Sequence, residues 1–179
     1  MISLSMRLHQ LKIEFDAGQD RLLMRVSTAS SEEALLWLTR RCVLRLWPLL
    51  VEVAEAEPQI AARASDPLTK RALFEFHHEK ALSQAIFSQN YDAASRARPL
   101  GDAPLLVARL QRRKADDGRT VLGLLPAEGQ GIFLTLDAPL LHGLMKLLQF
   151  AVEKAEWGFS LKLPTVQPPS SEEGARMLN

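Results

Sequence analysis

The side chains best suited to binding an anion form a basic group in the second half of the chain. Most of them fall between positions 109 and 119, around a predicted β-hairpin, and one more lies on a predicted strand of the first half. Cations carried on paired strands can follow the phosphate backbone of a single-stranded DNA or RNA. The candidate nucleic-acid-binding residues are therefore Arg25, Arg109, Arg112, Arg113, Lys114 and Arg119.

Strand geometry limits how much of this group can touch one ligand. Neighbouring strand residues point to opposite faces, so Arg109 and Arg113 should share one face and Arg112 the other. Asp116 and Asp117 lie in the same hairpin. A solvated strand surface, partly neutralised by these two carboxylates, is therefore the alternative interpretation of the basic group.

Aromatic side chains that could stack on nucleotide bases are few. They are Phe15, Trp37, Tyr91 and Phe133. Trp37 and Phe133 fall on predicted strands, where the pattern is consistent either with a core position or with a base-stacking position.

Two adjacent histidines and a glutamate, His77-His78-Glu79, are the residues most suggestive of a metal site. Adjacent helical residues point about 100° apart, so both histidines cannot bind one ion from a regular helix. The HExxH zinc motif is absent, and there is no CxxC pair. We expect no metal site here, with His77 at the buried edge of its helix and His78 in solvent.

Cys42 lies in the first turn of a predicted helix, beside Arg41. A helix N-terminus and a neighbouring cation lower the pKa of a thiol and would make it reactive. Cys42 aligns with the apolar Leu140 in the repeat described below, however, and this favours a small buried residue.

The chain has no GxSxG, GxGxxG or P-loop motif. We therefore expect a non-enzymatic binding protein without a cofactor.

The overall composition is that of an ordinary globular protein. Of the 179 residues, 47% are hydrophobic and 24% are charged, and the formal net charge is +1. This near-neutral charge leaves a protein-interaction or assembly module, such as a homodimer, as the alternative function. The single cysteine excludes an intramolecular disulfide and favours the cytoplasm. The first residues lack the apolar run of a signal peptide, and no apolar stretch is long enough to span a membrane.

The elements that position these residues come from an internal repeat. Residues 21–57 and 119–155 align without a gap at an offset of 98. In each half, alternating apolar residues predict three strands, and a change to helical spacing then predicts a helix, with Thr39 and Asp137 as N-caps. Asp117-Gly118 predicts a hairpin with a type I′ turn. The predicted core comprises Val26, Leu36, Leu38, Leu46, Leu50, Leu124, Leu134, Leu136, Leu144 and Leu148.

The predicted fold class is α+β, with two pseudo-symmetric antiparallel β-β-β(-β)-α repeats packed together and joined by a helical connector. The first repeat is predicted at residues 1–57, followed by a connector with its loop at 58–103. The second repeat is predicted at residues 104–163, and a flexible tail at 164–179. Ile2–Arg7 and Phe159–Leu163 are candidate extra strands. Asp66-Pro67 predicts the start of the connector helix, which should run to about Ala85. Its apolar stripe is predicted along Leu73, Phe76, His77 and Lys80.

Antiparallel strands followed by one long helix, twice in a chain, resemble the single-stranded nucleic-acid-binding fold of the PC4 and Whirly proteins. The resemblance covers roughly residues 1–57 and 104–163. The KGKAALS-type strand motif of Whirly proteins is absent, so no functional residue is carried over. The resemblance implies two curved sheets and two helices about a pseudo-twofold axis, with single strands bound on a sheet face. A third class, a small-ligand sensor with a pocket between the halves, also stays open.

Overall fold

The computed structural model describes residues 8–58, 66–84 and 96–163. The predicted α+β class is confirmed, with one four-stranded and one three-stranded sheet. In chain order the elements are β1 (Leu8–Asp16), β2 (Arg21–Thr28), β3 (Glu33–Leu38), α1 (Arg40–Glu55), α2 (Pro67–Gln84), β4 (Leu105–Leu106), β5 (Arg109–Lys114), β6 (Thr120–Leu125), β7 (Ile132–Leu136) and α3 (Ala138–Ala155).

The two halves share element order and strand register. In the antiparallel β2–β3 pair Leu22 lies opposite Leu38, and a shift of 98 residues turns this pair into Thr120 opposite Leu136 in β6–β7. Both predicted N-caps are confirmed. The Thr39 hydroxyl accepts from the backbone N–H of residue 42 at 3.1 Å, and the Asp137 carboxylate accepts from that of residue 140 at 2.9 Å. Each cap supplies an acceptor for a backbone donor that has no partner inside its helix.

A short strand from the second half completes the sheet of the first half. The strand predicted over 104–112 is divided into β4 and β5, and β4 pairs in parallel with β3. The backbone N–H of Val107 then donates to the Trp37 carbonyl at 3.0 Å, and that of Ala108 donates to the Leu125 carbonyl at 2.8 Å. The chain therefore leaves the first sheet and enters the second within two residues.

The β5–β6 hairpin forms as predicted, but its turn is of another type. Ala115 donates to the Arg119 carbonyl at 2.8 Å, and Gly118 donates to the Ala115 carbonyl at 2.9 Å. Gly118 has a φ of +81°, whereas Asp117 is not among the residues with positive φ. A type I′ turn needs positive φ at both central positions, so the predicted type is wrong. The bonds and the single positive φ are those of a three-residue loop with a glycine bulge.

Within the described residues, one apolar core joins the two sheets and the helices α1, α2 and α3. The ten predicted core residues are all buried, and they belong to a single cluster that also contains Cys42, Phe74 and Trp157. Helix α3 packs against β1, α1 and α2. The core therefore fixes the second-half helix against the first-half sheet, and this holds the two halves together.

The segment after α3 does not form the predicted strand Phe159–Leu163. Its carbonyl groups instead accept from helix side chains: Trp47 Nε1 donates to the Lys162 carbonyl, and Gln149 Nε2 donates to the Leu161 carbonyl, both at 2.9 Å. With these acceptors engaged by the helices, the segment lies along them rather than in a sheet. The other candidate strand, Ile2–Arg7, and the predicted tail at 164–179 lie outside the described residues.

The connector helix α2 begins where it was predicted. The Asp66 carboxylate accepts from the backbone N–H of residue 69 at 2.9 Å. The predicted stripe is wrong, however, because the buried side chains among residues 68–80 are Phe74 and His78, whereas Phe76 is 62% exposed. His77 is half-buried, so the predicted roles of the two histidines are reversed. Phe74 and His78 lie one turn apart, and this is the face that α2 presents to α3.

Candidate nucleic-acid interface

Strand alternation divides the basic residues of β5 between two faces. Leu110 packs against the core cluster, so Arg112 and Lys114 point to the same side. Arg109 and Arg113 point to the opposite side, which we call the outer face of the second sheet.

The basic residues on the core side and in the turn are engaged in polar contacts. Arg112 Nη1 lies 2.7 Å from Glu52 Oε2 on α1, and Lys114 Nζ donates to Thr120 Oγ1 at 3.2 Å. Arg119 Nη2 lies 2.6 Å from Asp117 Oδ2, and hydrogen bonding from Arg119 lowers the pKa of the Asp117 carboxyl. The charges of Arg112 and Arg119 are therefore already paired with carboxylates.

Arg25 lies in the other sheet, apart from the hairpin. Its Nη1 atom is 3.8 Å from Glu33 Oε1, and its Nε atom is 3.9 Å from Glu14 Oε2. Glu33 is buried and also forms an ion pair with Arg98, whose Nη2 atom lies 3.0 Å from Glu33 Oε2. Arg25 thus helps to balance a buried carboxylate on the first sheet, and the structure does not bring it together with the hairpin residues.

Two apolar residues of β6 belong to the outer face of the second sheet. Val121 and Leu125 are buried but do not belong to the core cluster. They lie directly opposite Arg113 and Arg109 in the β5–β6 register. This register sets the aliphatic parts of the two arginines over the apolar pair. Both arginines are exposed, and Arg109 Nε donates to the Pro126 carbonyl at 2.9 Å.

Phe133 lies across the same face, in a space that Gly123 leaves open. Gly123 is directly opposite Phe133 in the β6–β7 register. A Cβ atom at position 123 would lie only 2.8 Å from Phe133 Cε1 and 3.1 Å from Gln111 Cβ. Arg113 Cζ lies 4.8 Å from the centre of the Phe133 ring. The outer face therefore presents a half-buried aromatic ring, with the Arg113 guanidinium over it and Arg109 beside them.

The sequence placed Arg109 and Arg113 on one face of the hairpin, and the structure confirms this, but it did not place Phe133 beside them. The sequence left Phe133 open as a core or a stacking residue, because its neighbours Gly123 and Arg113 lie on two other strands, β6 and β5. The signal that could have joined them is the strand register, because glycine opposite an aromatic residue leaves room for the ring over the backbone.

Cys42 is buried, as predicted, with 7% of its surface exposed. Burial raises the pKa of its thiol to about 11, and the nearby charge of Arg45 offsets this only in part. A thiol with this pKa is protonated at neutral pH, so Cys42 is not an activated nucleophile.

Of the two adjacent histidines, His78 forms a buried pair with His142 on α3. His78 Nδ1 lies 2.8 Å from His142 Nδ1, and both rings are buried. His142 Nε2 is 3.2 Å from Glu57 Oε1, but the two atoms are not aligned for a hydrogen bond. Within residues 8–58, 66–84 and 96–163, no group of three or more His, Cys, Asp or Glu side chains could hold a metal ion.

No protein-family model, curated protein or solved structure matches the chain. The resemblance to the PC4 and Whirly proteins therefore stays a prediction from element order. In the described part of the chain, no helix has both the length and the apolar character needed to cross a membrane.

Proposed function

We propose that this chain is a non-enzymatic protein that binds single-stranded DNA or RNA on the outer face of its second sheet. The observation that carries the proposal is the Arg113 guanidinium, 4.8 Å from the centre of the half-buried Phe133 ring. Aromatic rings and guanidinium planes both stack on nucleotide bases, and such stacking tolerates any base sequence. Arg109 on the same face supplies a second cation for phosphate.

The proposed site is smaller than the basic group that the sequence suggested. Arg112 and Arg119 are paired with carboxylates at 2.7 and 2.6 Å, so their charges are less available to a ligand. Arg25 belongs to the other sheet. The core of the proposed site is therefore Arg109, Arg113 and Phe133, with the Gln111 amide between the two arginines.

Fluorescence anisotropy with a labelled oligonucleotide of about 20 nucleotides tests this proposal. The affinity of the wild type should fall steeply as salt rises from about 50 to 200 mM. Replacing Arg109 and Arg113 with glutamate should weaken binding at low salt and flatten the salt dependence. The matched control is the Lys70→Glu and Arg71→Glu double variant on α2, which changes the net charge equally. Absence of wild-type binding at low salt, or equal losses in both variants, would contradict the proposal.

A second candidate function is a protein-interaction module, such as a homodimer. Leu23, Trp37 and Leu106 lie side by side across β2, β3 and β4, on the side of the first sheet away from the core cluster. Leu106 is 42% exposed. An apolar row on a sheet surface favours contact with another protein chain. Light scattering would show a dimer that Leu106→Glu converts to a monomer, whereas a wild type that is monomeric at all concentrations would exclude the homodimer.

A further inference from the structure

A groove of about 920 Å³ runs between α1 and the segment that carries β4 and β5. Its basic lining residues are Arg41 and Arg45 from α1 and Arg109 from β5. Its apolar lining includes Leu49 and Val107. None of the described residues that line it is acidic. The groove is therefore positively charged over an apolar floor, although the chain as a whole has a net charge of only +1.

The helix arginines of this groove are free to meet a ligand. Arg41 and Arg45 are both exposed and lie one turn apart on the same side of α1. Neither forms an ion pair with a carboxylate in the described part of the chain, in contrast to Arg112 and its partner Glu52. Arg41 also lies in the first helical turn, where the helix dipole disfavours a cation. The helix dipole therefore does not favour this placement, whereas an anionic ligand would.

The groove is continuous with the outer face of the second sheet. Arg109 and Gln111 line the groove, and both also belong to that face. Among the described strands, β5 pairs only with β6, so it forms the edge of its sheet. Residues 108–111 form one wall of the groove. An extended chain lying along this edge would pass from the arginines of α1 to the stacked pair of Arg113 and Phe133.

From this arrangement we infer that the groove holds the sugar-phosphate backbone of the same single strand whose bases stack at Phe133, with Arg41 and Arg45 contacting its phosphates. The inference rests on the proposed function. Arginine suits this role because its planar guanidinium donates paired hydrogen bonds to phosphate oxygens. An acidic protein segment would match the charge of the groove, but it has no row of planar bases to stack on the adjoining ring and guanidinium. A nucleic-acid strand uses both features.

The test compares two charge-matched variants in the same anisotropy measurement. Arg41→Gln with Arg45→Gln removes two cations from the groove, and Lys70→Gln with Arg71→Gln removes two from α2. For a single strand, removal of one cation that binds a phosphate should reduce the slope of log affinity against log salt by about 0.7. The groove variant should therefore bind about tenfold more weakly at low salt, with a slope smaller by about 1.4. The α2 variant should bind nearly as the wild type does.

Each of the other possible outcomes would contradict the groove inference, and these outcomes can be told apart. If the wild type binds and the groove variant behaves like the α2 variant, the groove inference fails while the outer-face site stands. If the wild type does not bind the oligonucleotide, the proposed function fails and the groove inference fails with it. A labelled oligoglutamate peptide run in parallel identifies the alternative, because binding of that peptide alone, abolished in the groove variant, would make the groove a site for an acidic protein. Circular dichroism melts of all variants show that the exposed substitutions leave the fold intact.

Discussion

His78 Nδ1 lies 2.8 Å from His142 Nδ1, in the buried contact between the connector helix α2 and helix α3. At this distance one nitrogen must donate a proton and the other must accept it. The ring of Phe74 packs against both imidazoles, with ring centres 6.3 Å from His78 and 5.6 Å from His142. The hydrogen bond between the two imidazoles can therefore form only while at least one of them is neutral.

This pair predicts that the protein loses stability in mild acid. Burial lowers the pKa of His78 from 6.5 to about 4, and the positive charges of His142 and Lys146 act in the same direction. The unfolded chain therefore takes up this proton at a higher pH than the folded protein does. The stabilisation is fully present above pH 6.5 and is lost as the pH falls towards 4, by at most about 3 kcal/mol. Urea denaturation at a series of pH values in this window measures the loss.

Two histidine variants isolate the contribution of this pair from that of titrating carboxylates. His78→Gln should be less stable than the wild type at neutral pH, and its stability should depend less on pH between 6.5 and 4. His77→Gln, next to it on the half-buried side of α2, should keep the wild-type pH dependence. Equal pH dependence in the wild type and His78→Gln would show that the pair does not govern acid stability.

The same pair of histidines shows where sequence reasoning reached its limit. Three strands, a helix and its N-cap were predicted in each half, because alternation, helical spacing and a capping oxygen are local patterns. The buried side of α2 was not predictable, because its apolar residues lie all around the helix and only packing against α3 selects Phe74 and His78. Similarly, the partner of Arg112 is Glu52, 60 positions away in sequence. No local pattern could show that this hairpin arginine was already paired.

The packing of the core predicts that two leucines on the equivalent helices α1 and α3 contribute very differently to the free energy of unfolding. Leu144 on α3 is fully buried, whereas Leu44 on α1 is 47% exposed. Leu144→Ala should lower the free energy of unfolding by about 2–5 kcal/mol, because it removes buried methyl groups and leaves a cavity. Leu44→Ala should change it by less than about 0.5 kcal/mol. Chemical denaturation of both variants tests this, and similar losses would show that the two helices are not packed as described.

Cys42 should resist alkylation in the folded protein. Burial raises the pKa of its thiol to about 11, so the reactive thiolate is scarce at pH 8. Reaction with a thiol reagent should be slow in buffer and fast in concentrated urea, where the thiol regains an ordinary pKa and full access. Rapid labelling of the folded protein would show that the side of α1 that carries Cys42 opens to solvent.

Gly123 predicts an effect on binding that involves no charge. A methyl group added at this position would lie 2.8 Å from Phe133 Cε1, so Gly123→Ala should push the ring away from the strand and from Arg113. Oligonucleotide affinity should then fall several-fold, while the salt dependence stays that of the wild type, because every phosphate-binding cation is still present.

Phe133→Leu is the matched variant, because it removes the aromatic ring while leaving the glycine in place. If both substitutions act through the same ring, their losses of affinity are not independent. The double variant should then bind the oligonucleotide no more weakly than whichever single variant has the lower affinity. Thermal unfolding of each variant separates an effect on the ring from disruption of the sheet. Wild-type affinity in Gly123→Ala, or fully additive losses in the double variant, would show that the Phe133 ring is not the stacking surface.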